Sequence, residues 1–270
     1  MSNKKAIGFF DSGVGGLTIW NEVVKILPNE DTVYIADSGH APYGTKSKKE
    51  IQNLSISNAE KLIELGAKLI VVACNTATTQ SIEVLRDRFD IPFIGIEPAI
   101  KPAAQKSKTR TIGVLATHGT LESEHFHRTK DKFTSDVNVY TQVGEGLVDA
   151  IEKGYLNTDY LDEILGSHLR VLNSNPIDYL VLGCTHYPLL IPSIRRILGE
   201  GVEIIDSGEA VARQTEKVLR EQKLINETID KGNHQLYTTG DISIMKNITT
   251  ELGYELEDSR IYFSSLYQSE

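Results

Sequence analysis

Residues 69–76 read Leu-Ile-Val-Val-Ala-Cys-Asn-Thr, an apolar run that ends at Cys74 and gives way to polar residues. An apolar run of this length, followed by helical periodicity over residues 78–89, predicts a strand buried on both faces and then a helix. Residues 179–186 repeat the pattern as Tyr-Leu-Val-Leu-Gly-Cys-Thr-His, with Cys184 in the equivalent place. Each cysteine is therefore expected at the carboxyl end of a buried strand.

Strand patterns alternate with helical patterns on both sides of these stretches. Residues 5–10 and 32–36 are predicted strands, and residues 17–27 and 48–65 have helical periodicity. Strands that alternate with helices predict a parallel sheet with right-handed crossovers. The second half of the chain repeats this plan from residue 111 onward.

The repeat has a measurable spacing. Gly8 lies 66 residues before Cys74, and Gly113 lies 71 residues before Cys184. The chain is therefore expected to be an α/β protein with two doubly wound parallel-sheet lobes related by a pseudo-two-fold duplication. Because ligands of open α/β sheets bind beyond the carboxyl ends of the strands, the active site is expected in the cleft between the lobes, with one thiol on each side.

Domain boundaries follow from where the repeat begins and ends. Residues 99–208 are predicted to form the second lobe, on the Cys184 side. Residues 1–98 are assigned to the first lobe, on the Cys74 side. Residues 209–270, which contain a helical pattern, a strand pattern and a final helical pattern, are expected to pack back on that first lobe.

Composition excludes several classes of protein. The chain is 40% apolar and 24% charged, which is typical of a globular protein and not of a disordered one. The chain has a net charge of −9, which does not suit nucleic-acid binding, because that binding requires a basic surface. No apolar run is long enough for a membrane span, and residues 6–10 are too short for a secretory signal, so a cytoplasmic protein is expected.

The two cysteines allow a structural and a chemical interpretation. A buried free cysteine is usually a small apolar residue. However, backbone N–H groups at the start of the following loop or helix can stabilise a thiolate. Zinc binding is not indicated, because the cysteines stand 110 residues apart with no CxxC motif and no nearby histidine pair. Two thiols across a cleft suit the inversion of a stereocentre, in which one base removes a proton and an acid on the opposite face returns one.

Three further polar residues also have two interpretations. Asp11 opens the string Asp-Ser-Gly-Val-Gly-Gly at residues 11–16, which departs from the dinucleotide-binding pattern GxGxxG. Its carboxylate either caps the following helix or faces Cys74 as a proton relay or ammonium ligand. Glu152 lies either on a solvated helix face or at the cleft edge. His186 is either an ordinary loop histidine or a partner of the thiol two residues before it.

Six strings together resemble the aspartate/glutamate racemase family, and the resemblance spans about residues 5–220. The strings are Phe10 to Thr18, Pro42 to Thr45, Ala73 to Ala77, Ile96 to Ala99, Leu147 to Gly154 and Gly183 to Leu189. The resemblance implies interconversion of L- and D-glutamate without a cofactor or a metal, to supply D-glutamate for peptidoglycan. It also implies a homodimer.

The resemblance further implies roles for individual residues. Cys74 would remove the α-proton of D-glutamate and Cys184 that of L-glutamate. Asp11 would assist the first thiol, and Glu152 and His186 the second. The implied substrate contacts are Asp11, Ser12, Tyr43, Gly44, Asn75, Thr76, Thr117, Thr185 and His186.

Other functions stay open on the sequence. A racemase of aspartate or another small amino acid would share these motifs. A hydrolase with a cysteine nucleophile would use one thiol and bury the other in its core. A two-lobed amino-acid-binding protein would bind its ligand without chemistry.

Overall fold

A computed structural model describes residues 5–266 of the chain. The strands in this part are β1 (Ala6–Asp11), β2 (Thr32–Ala36), β3 (Ala67–Val72), β4 (Phe93–Ile94), β5 (Thr111–Ala116), β6 (Asn138–Val143), β7 (Tyr179–Gly183), β8 (Glu203–Ile205), β9 (His234–Thr238) and β10 (Ile261–Ser265). The α-helices are α1 (Leu17–Ile26), α2 (Lys48–Glu64), α3 (Asn75–Arg88), α4 (Ile100–Lys106), α5 (His118–Leu121), α6 (Glu124–Phe133), α7 (Leu147–Glu152), α8 (Asp159–Asn173), α9 (Ile191–Leu198), α10 (Gly208–Glu221) and α11 (Ile242–Glu251). Three short 3-10 helices cover Ser38–His40, Tyr43–Thr45 and Tyr187–Leu190.

The strands form two sheets in which every pairing is parallel. One sheet has six strands in the order β10-β9-β2-β1-β3-β4, and the other has four in the order β6-β5-β7-β8. The segment β2-β1-β3-β4 therefore has the same strand order as the whole second sheet. The predicted α/β class with two parallel-sheet lobes is confirmed, and the repeated strand order agrees with the expected duplication.

The carboxyl-terminal part of the described chain adds strands to the first sheet. Strand β9 pairs with β2, with Tyr237 opposite Ile35, and β10 pairs with β9. Helix α10 packs against α1. The exact boundaries at residues 98/99 and 208/209 stay a prediction, and residues 1–4 and 267–270 of the predicted lobes lie outside the described residues.

Local sequence explains where the elements begin. The central strands β1 and β3 are buried along their whole length, as the apolar runs at residues 6–10 and 69–72 predict, and the burial includes Lys68 of β3 and Asp11 of β1. Helix α2 begins with a capping box, in which Ser47 Oγ accepts the Glu50 N–H at 3.3 Å and the Glu50 carboxylate accepts the Ser47 N–H at 3.0 Å. Trp20 is fully buried under the first sheet, and its indole N–H donates to Thr32 Oγ1 at 2.8 Å.

Strand order determines where a ligand can bind. In each sheet the chain places its second strand on one side of the first strand and its third strand on the other, so the crossovers diverge between the first and third strands. In the first sheet this point lies between β1 and β3, and in the second between β5 and β7. Among residues 5–266, no helix combines the length and the apolar character that crossing a membrane requires.

Candidate active site

Both cysteines lie at these divergence points, and both thiols line one narrow cavity. Cys74 follows β3 and Cys184 follows β7, and the two residues are 5% and 6% exposed. The cavity is lined by Ser12, Pro42, Tyr43, Gly44, Cys74, Asn75, Thr76, Thr117, Val148, Cys184, Thr185 and His186. The structure thus brings ten of the twelve predicted site residues to one cavity. The other two, Asp11 and Glu152, contact residues that line it.

Cys74 lies at the amino-terminal end of helix α3. It is the N-cap residue of α3, and its sulfur accepts the N–H of Ala77 at 3.4 Å. The thiol donates to Ser12 Oγ at 3.7 Å. Burial raises the pKa of the Cys74 thiol well above its ordinary value, and the nearby Asp11 carboxylate raises it further. Cys74 is therefore a protonated thiol at neutral pH.

Asp11 is completely buried behind this thiol at the end of β1. Its Oδ2 accepts the N–H of Gly16 at 2.6 Å and lies 3.4 Å from the Thr185 hydroxyl of the second lobe. Burial raises the pKa of Asp11 from 3.8 to about 6, although the charge of His186 and the Gly16 N–H oppose that rise. Asp11 is not the N-cap residue of α1, because that position is occupied by Gly16. Its position favours the interpretation as a charged group beside Cys74.

Cys184 has different neighbours. Its sulfur lies 3.7 Å from Nδ1 of His186, and Nε2 of the same ring lies 2.6 Å from Glu152 Oε1. Burial would lower the pKa of His186, but the hydrogen bonds and negative charges of Cys184 and Glu152 raise it well above its ordinary value. The imidazole is therefore held as a cation between a carboxylate and a sulfur.

The glycines of residues 11–16 make room for this second set of side chains. A Cβ atom on Gly13 would overlap the Glu152 carboxylate, and one on Gly15 would overlap the His186 ring. The absence of side chains at Gly13 and Gly15 is therefore needed to admit two side chains of the other lobe. Glu152 also accepts the N–H of Val14 at 2.7 Å.

The cavity offers hydrogen-bond donors suited to a carboxylate. Nδ2 of Asn75 is buried and has no hydrogen-bond partner among the described residues. The hydroxyl oxygens of Thr76 and Thr117, which come from opposite lobes, are 2.9 Å apart, and Thr120 lies 2.9 Å from Thr117. A buried amide without a partner is rare unless a ligand or water completes it. These groups can therefore bind and orient an anion.

Tyr43 lines the cavity, but its hydroxyl is bound elsewhere. It donates to Asp37 Oδ2 at 2.6 Å and accepts from Asn58 Nδ2 at 3.2 Å. Burial raises the pKa of Tyr43, and the Asp37 carboxylate adds to this effect. A ligand would therefore meet the ring and backbone of Tyr43 and not its hydroxyl oxygen.

Sequence reasoning missed three residues that support the site. They are Asp37, which holds Tyr43; Ser38, whose hydroxyl donates to Glu152 Oε2 at 2.7 Å; and Thr120 beside Thr117. The polar loop that begins at Asp37 was a usable signal for the first two. Within residues 5–266, no group of three or more His, Cys, Asp or Glu side chains is placed to hold a metal ion.

Known proteins share both the sequence and the fold. The family model described as Asp/Glu/Hydantoin racemase matches residues 17–215. Glutamate racemase of Ectopseudomonas mendocina is 43% identical over 243 residues, which covers 90% of this chain and 92% of that protein.

Solved structures agree with this assignment. The crystal structure of a glutamate racemase isoform from Bacillus anthracis has a TM-score of 0.86 and 33% identity and covers 98% of both chains. The crystal structure of Escherichia coli glutamate racemase, in complex with L-glutamate and an activator, has a TM-score of 0.84 and 30% identity and covers 96% of this chain and 97% of that one. The chain therefore belongs to the Asp/Glu/hydantoin racemase family.

Proposed function

We propose that the protein is a glutamate racemase that interconverts L- and D-glutamate by proton transfer between two cysteines, without a cofactor. The observation that carries the proposal is the pair of buried thiols that line one cavity from equivalent strand ends of two lobes. The three similar proteins described above are all named glutamate racemase, and one of them was solved with L-glutamate.

The α-proton crosses the substrate in two transfers. In the L-to-D direction, the Cys184 thiolate takes the α-proton, and the Cys74 thiol gives its own proton to the opposite face of the α-carbon. The reverse direction exchanges these roles. The raised pKa of Cys74 favours the enzyme form that starts the L-to-D direction, with its proton on Cys74, and the His186 cation provides a counter-charge for a thiolate at Cys184. The D-to-L direction starts from the form that the first reaction leaves, with the proton on Cys184.

The remaining site residues bind the substrate and stabilise the carbanion-like state between the two transfers. That state carries negative charge toward the α-carboxylate, so fixed donors around the carboxylate lower its energy. Asn75, Thr76, Thr117 and Thr185 supply amide and hydroxyl groups, and Ser12 lies beside Cys74. Asp11 is the nearby carboxylate that can meet the substrate ammonium group.

The wider role follows from the same resemblance. We propose that the product D-glutamate supplies peptidoglycan synthesis in the cytoplasm and that the enzyme is a homodimer. We also keep the lobe boundaries, 1–98 plus 209–270 and 99–208, as part of this proposal. A racemase of aspartate or another small amino acid is the alternative, because these motifs do not by themselves fix the length of the substrate.

One experiment separates these functions. Purified protein is incubated with L-glutamate or L-aspartate in D2O without added cofactor, and α-deuterium and chirality are followed by NMR and chiral chromatography. We expect deuterium at the α-carbon and a racemic product from glutamate, with much slower turnover of aspartate. Faster turnover of aspartate would reverse the assignment of substrate. Binding without exchange would indicate an amino-acid-binding protein. Exchange of the α-hydrogen for deuterium without inversion of the α-carbon would contradict the two-thiol mechanism.

A further inference from the structure

We propose that Ser38 is a positioning residue for the Cys184 half of the reaction, acting through Glu152 and His186. This inference rests on the proposed racemase function. It concerns a residue that the sequence motifs did not single out and that does not line the cavity between the thiols.

The hydrogen bonds of Glu152 are divided between its two oxygens. Oε1 accepts the Val14 N–H at 2.7 Å and lies 2.6 Å from His186 Nε2. Oε2 accepts the Ser38 hydroxyl at 2.7 Å. In the described part of the chain, Ser38 is the residue that fixes Oε2, and so it fixes the rotation of the carboxylate about its last bond.

The rotation of the Glu152 carboxylate matters because it sets the orientation of the His186 imidazole toward the Cys184 sulfur. His186 presents Nε2 to Glu152 and Nδ1 to Cys184, at 3.7 Å from the sulfur. A carboxylate held at both oxygens orients the ring that it binds, as second-shell carboxylates do for other functional histidines. With Oε2 released, the carboxylate can rotate and the ring loses its fixed direction toward Cys184.

Ser38 is itself held firmly from the first lobe. The neighbouring Asp37 is bound by the Tyr43 hydroxyl at 2.6 Å and by the Thr239 hydroxyl at 3.0 Å. Thr239 Oγ1 also accepts the N–H of Gly39 at 2.8 Å. The loop that carries Tyr43 to the cavity therefore also carries Ser38 to Glu152. It joins the Cys74 lobe to the hydrogen-bond chain behind Cys184.

The test compares Ser38→Ala with Ser38→Thr, which keeps the hydroxyl, and with Thr239→Val, which loosens the same loop without removing a contact to Glu152. The forward and reverse kcat/KM of a racemase must stay equal, because the two enantiomers have equal free energy. Side-specific damage is therefore read from primary isotope effects, measured separately with α-deuterated L-glutamate and α-deuterated D-glutamate.

We expect Ser38→Ala to lower kcat about tenfold, as the loss of an outer hydrogen-bond partner typically does, and to change the two isotope effects in opposite directions. Transfer at Cys184 becomes the slow step, so the isotope effect rises for L-glutamate, whose α-deuterium Cys184 removes. It falls for D-glutamate, whose α-deuterium leaves earlier, to Cys74. Ser38→Thr restores both values, and Thr239→Val lowers the Tm with an unchanged ratio of the two isotope effects.

Other results would overturn the inference. A Ser38→Ala enzyme with normal kcat, or with both isotope effects changed equally, shows that Ser38 has no specific role at Cys184. If Ser38→Ala fails to fold, Ser38→Cys, which keeps the size but donates a weak hydrogen bond, must show the same opposed changes. A wild-type protein that does not racemise glutamate refutes the proposed function itself, a result distinct from any effect of Ser38.

Discussion

The two halves of the site have equivalent backbones and different side chains. Each cysteine follows the third strand of its sheet, but Cys74 caps a regular helix and has Asp11 as its charged neighbour, whereas Cys184 precedes a short 3-10 helix and has His186 and Glu152. One thiol is kept protonated by burial and a negative charge, and the other has a cation beside it. The two strand ends thus give the cysteines equivalent positions, while the neighbouring side chains give them different electrostatic surroundings.

Replacement of either cysteine by serine should have the largest effect on activity. A hydroxyl group is too weak an acid to replace a thiol in either role, so Cys74→Ser and Cys184→Ser should each lower kcat about 10⁴-fold. Racemisation is followed by circular dichroism. In D2O, Cys74→Ser should still exchange the α-hydrogen of L-glutamate, and Cys184→Ser that of D-glutamate. If one variant keeps full activity, the two halves do not share the reaction.

Removing the imidazole should damage one half selectively. His186→Asn leaves Cys184 without its cation, and we expect kcat to fall about 10³-fold. The isotope effect should rise with α-deuterated L-glutamate and not with the D-enantiomer. His168→Asn is the matched control, since His168 bonds Gln142 and the Glu145 carbonyl outside the cavity. Equal changes of the isotope effect in both directions would contradict the assignment of His186 to Cys184.

The sequence alone was sufficient to predict where the two thiols lie in the fold. The apolar runs before Cys74 and Cys184 are continuous and end abruptly, so the strand ends β3 and β7 could be located within a residue or two. Asp11 could be located for the same reason. Short edge strands such as β8 and β10 were not predicted, because they are partly exposed and lack a long apolar run.

Contacts between the lobes were beyond sequence reasoning. Glu152 ends a helix of six residues, a place where a carboxylate is usually solvated. Its contacts with Val14, Ser38 and His186 exist only because the lobes pack together, and no local pattern encodes that packing. The same holds for Tyr43: the resemblance implies a substrate contact, but only the folded chain shows that its hydroxyl donates to Asp37.

The buried carboxylate of the Cys74 half should be measurable as a stability effect. The folded state raises the pKa of Asp11 from 3.8 to about 6, so its ionised form is unfavourable in the fold. Stability linked to this group is present below pH 3.8 and is lost as pH rises through about 6. Relative to the wild type, the free energy of unfolding of Asp11→Asn should therefore increase by about 3 kcal/mol from acid to neutral pH. Urea unfolding at the two pH values measures this difference.

Asp178 provides a control with the opposite sign. Burial acts against it, but hydrogen bonds from Ser107, Thr109 and Lys108 lower the pKa of Asp178, so its stabilisation is present at neutral pH and is lost as pH falls. Asp178→Asn should lose stability relative to the wild type as pH rises from acid to neutral. If Asp11→Asn follows the same trend, its carboxylate is not held in an unfavourable ionised state.

The smallest expected effect tests the charge difference between the halves directly. The Asp11 carboxylate raises the pKa of Cys74, so Asp11→Asn should lower that pKa and increase the thiolate fraction at pH 8. Because the thiolate is the species that iodoacetamide attacks, Cys74 should be alkylated up to about tenfold faster, while Cys184, beside His186, should keep its rate. Peptide mass spectrometry over a time course gives both rates in one sample. Equal acceleration at the two cysteines would mean that the substitution opens the cavity, and the contrast between the halves would then rest on their geometry and not on their charges.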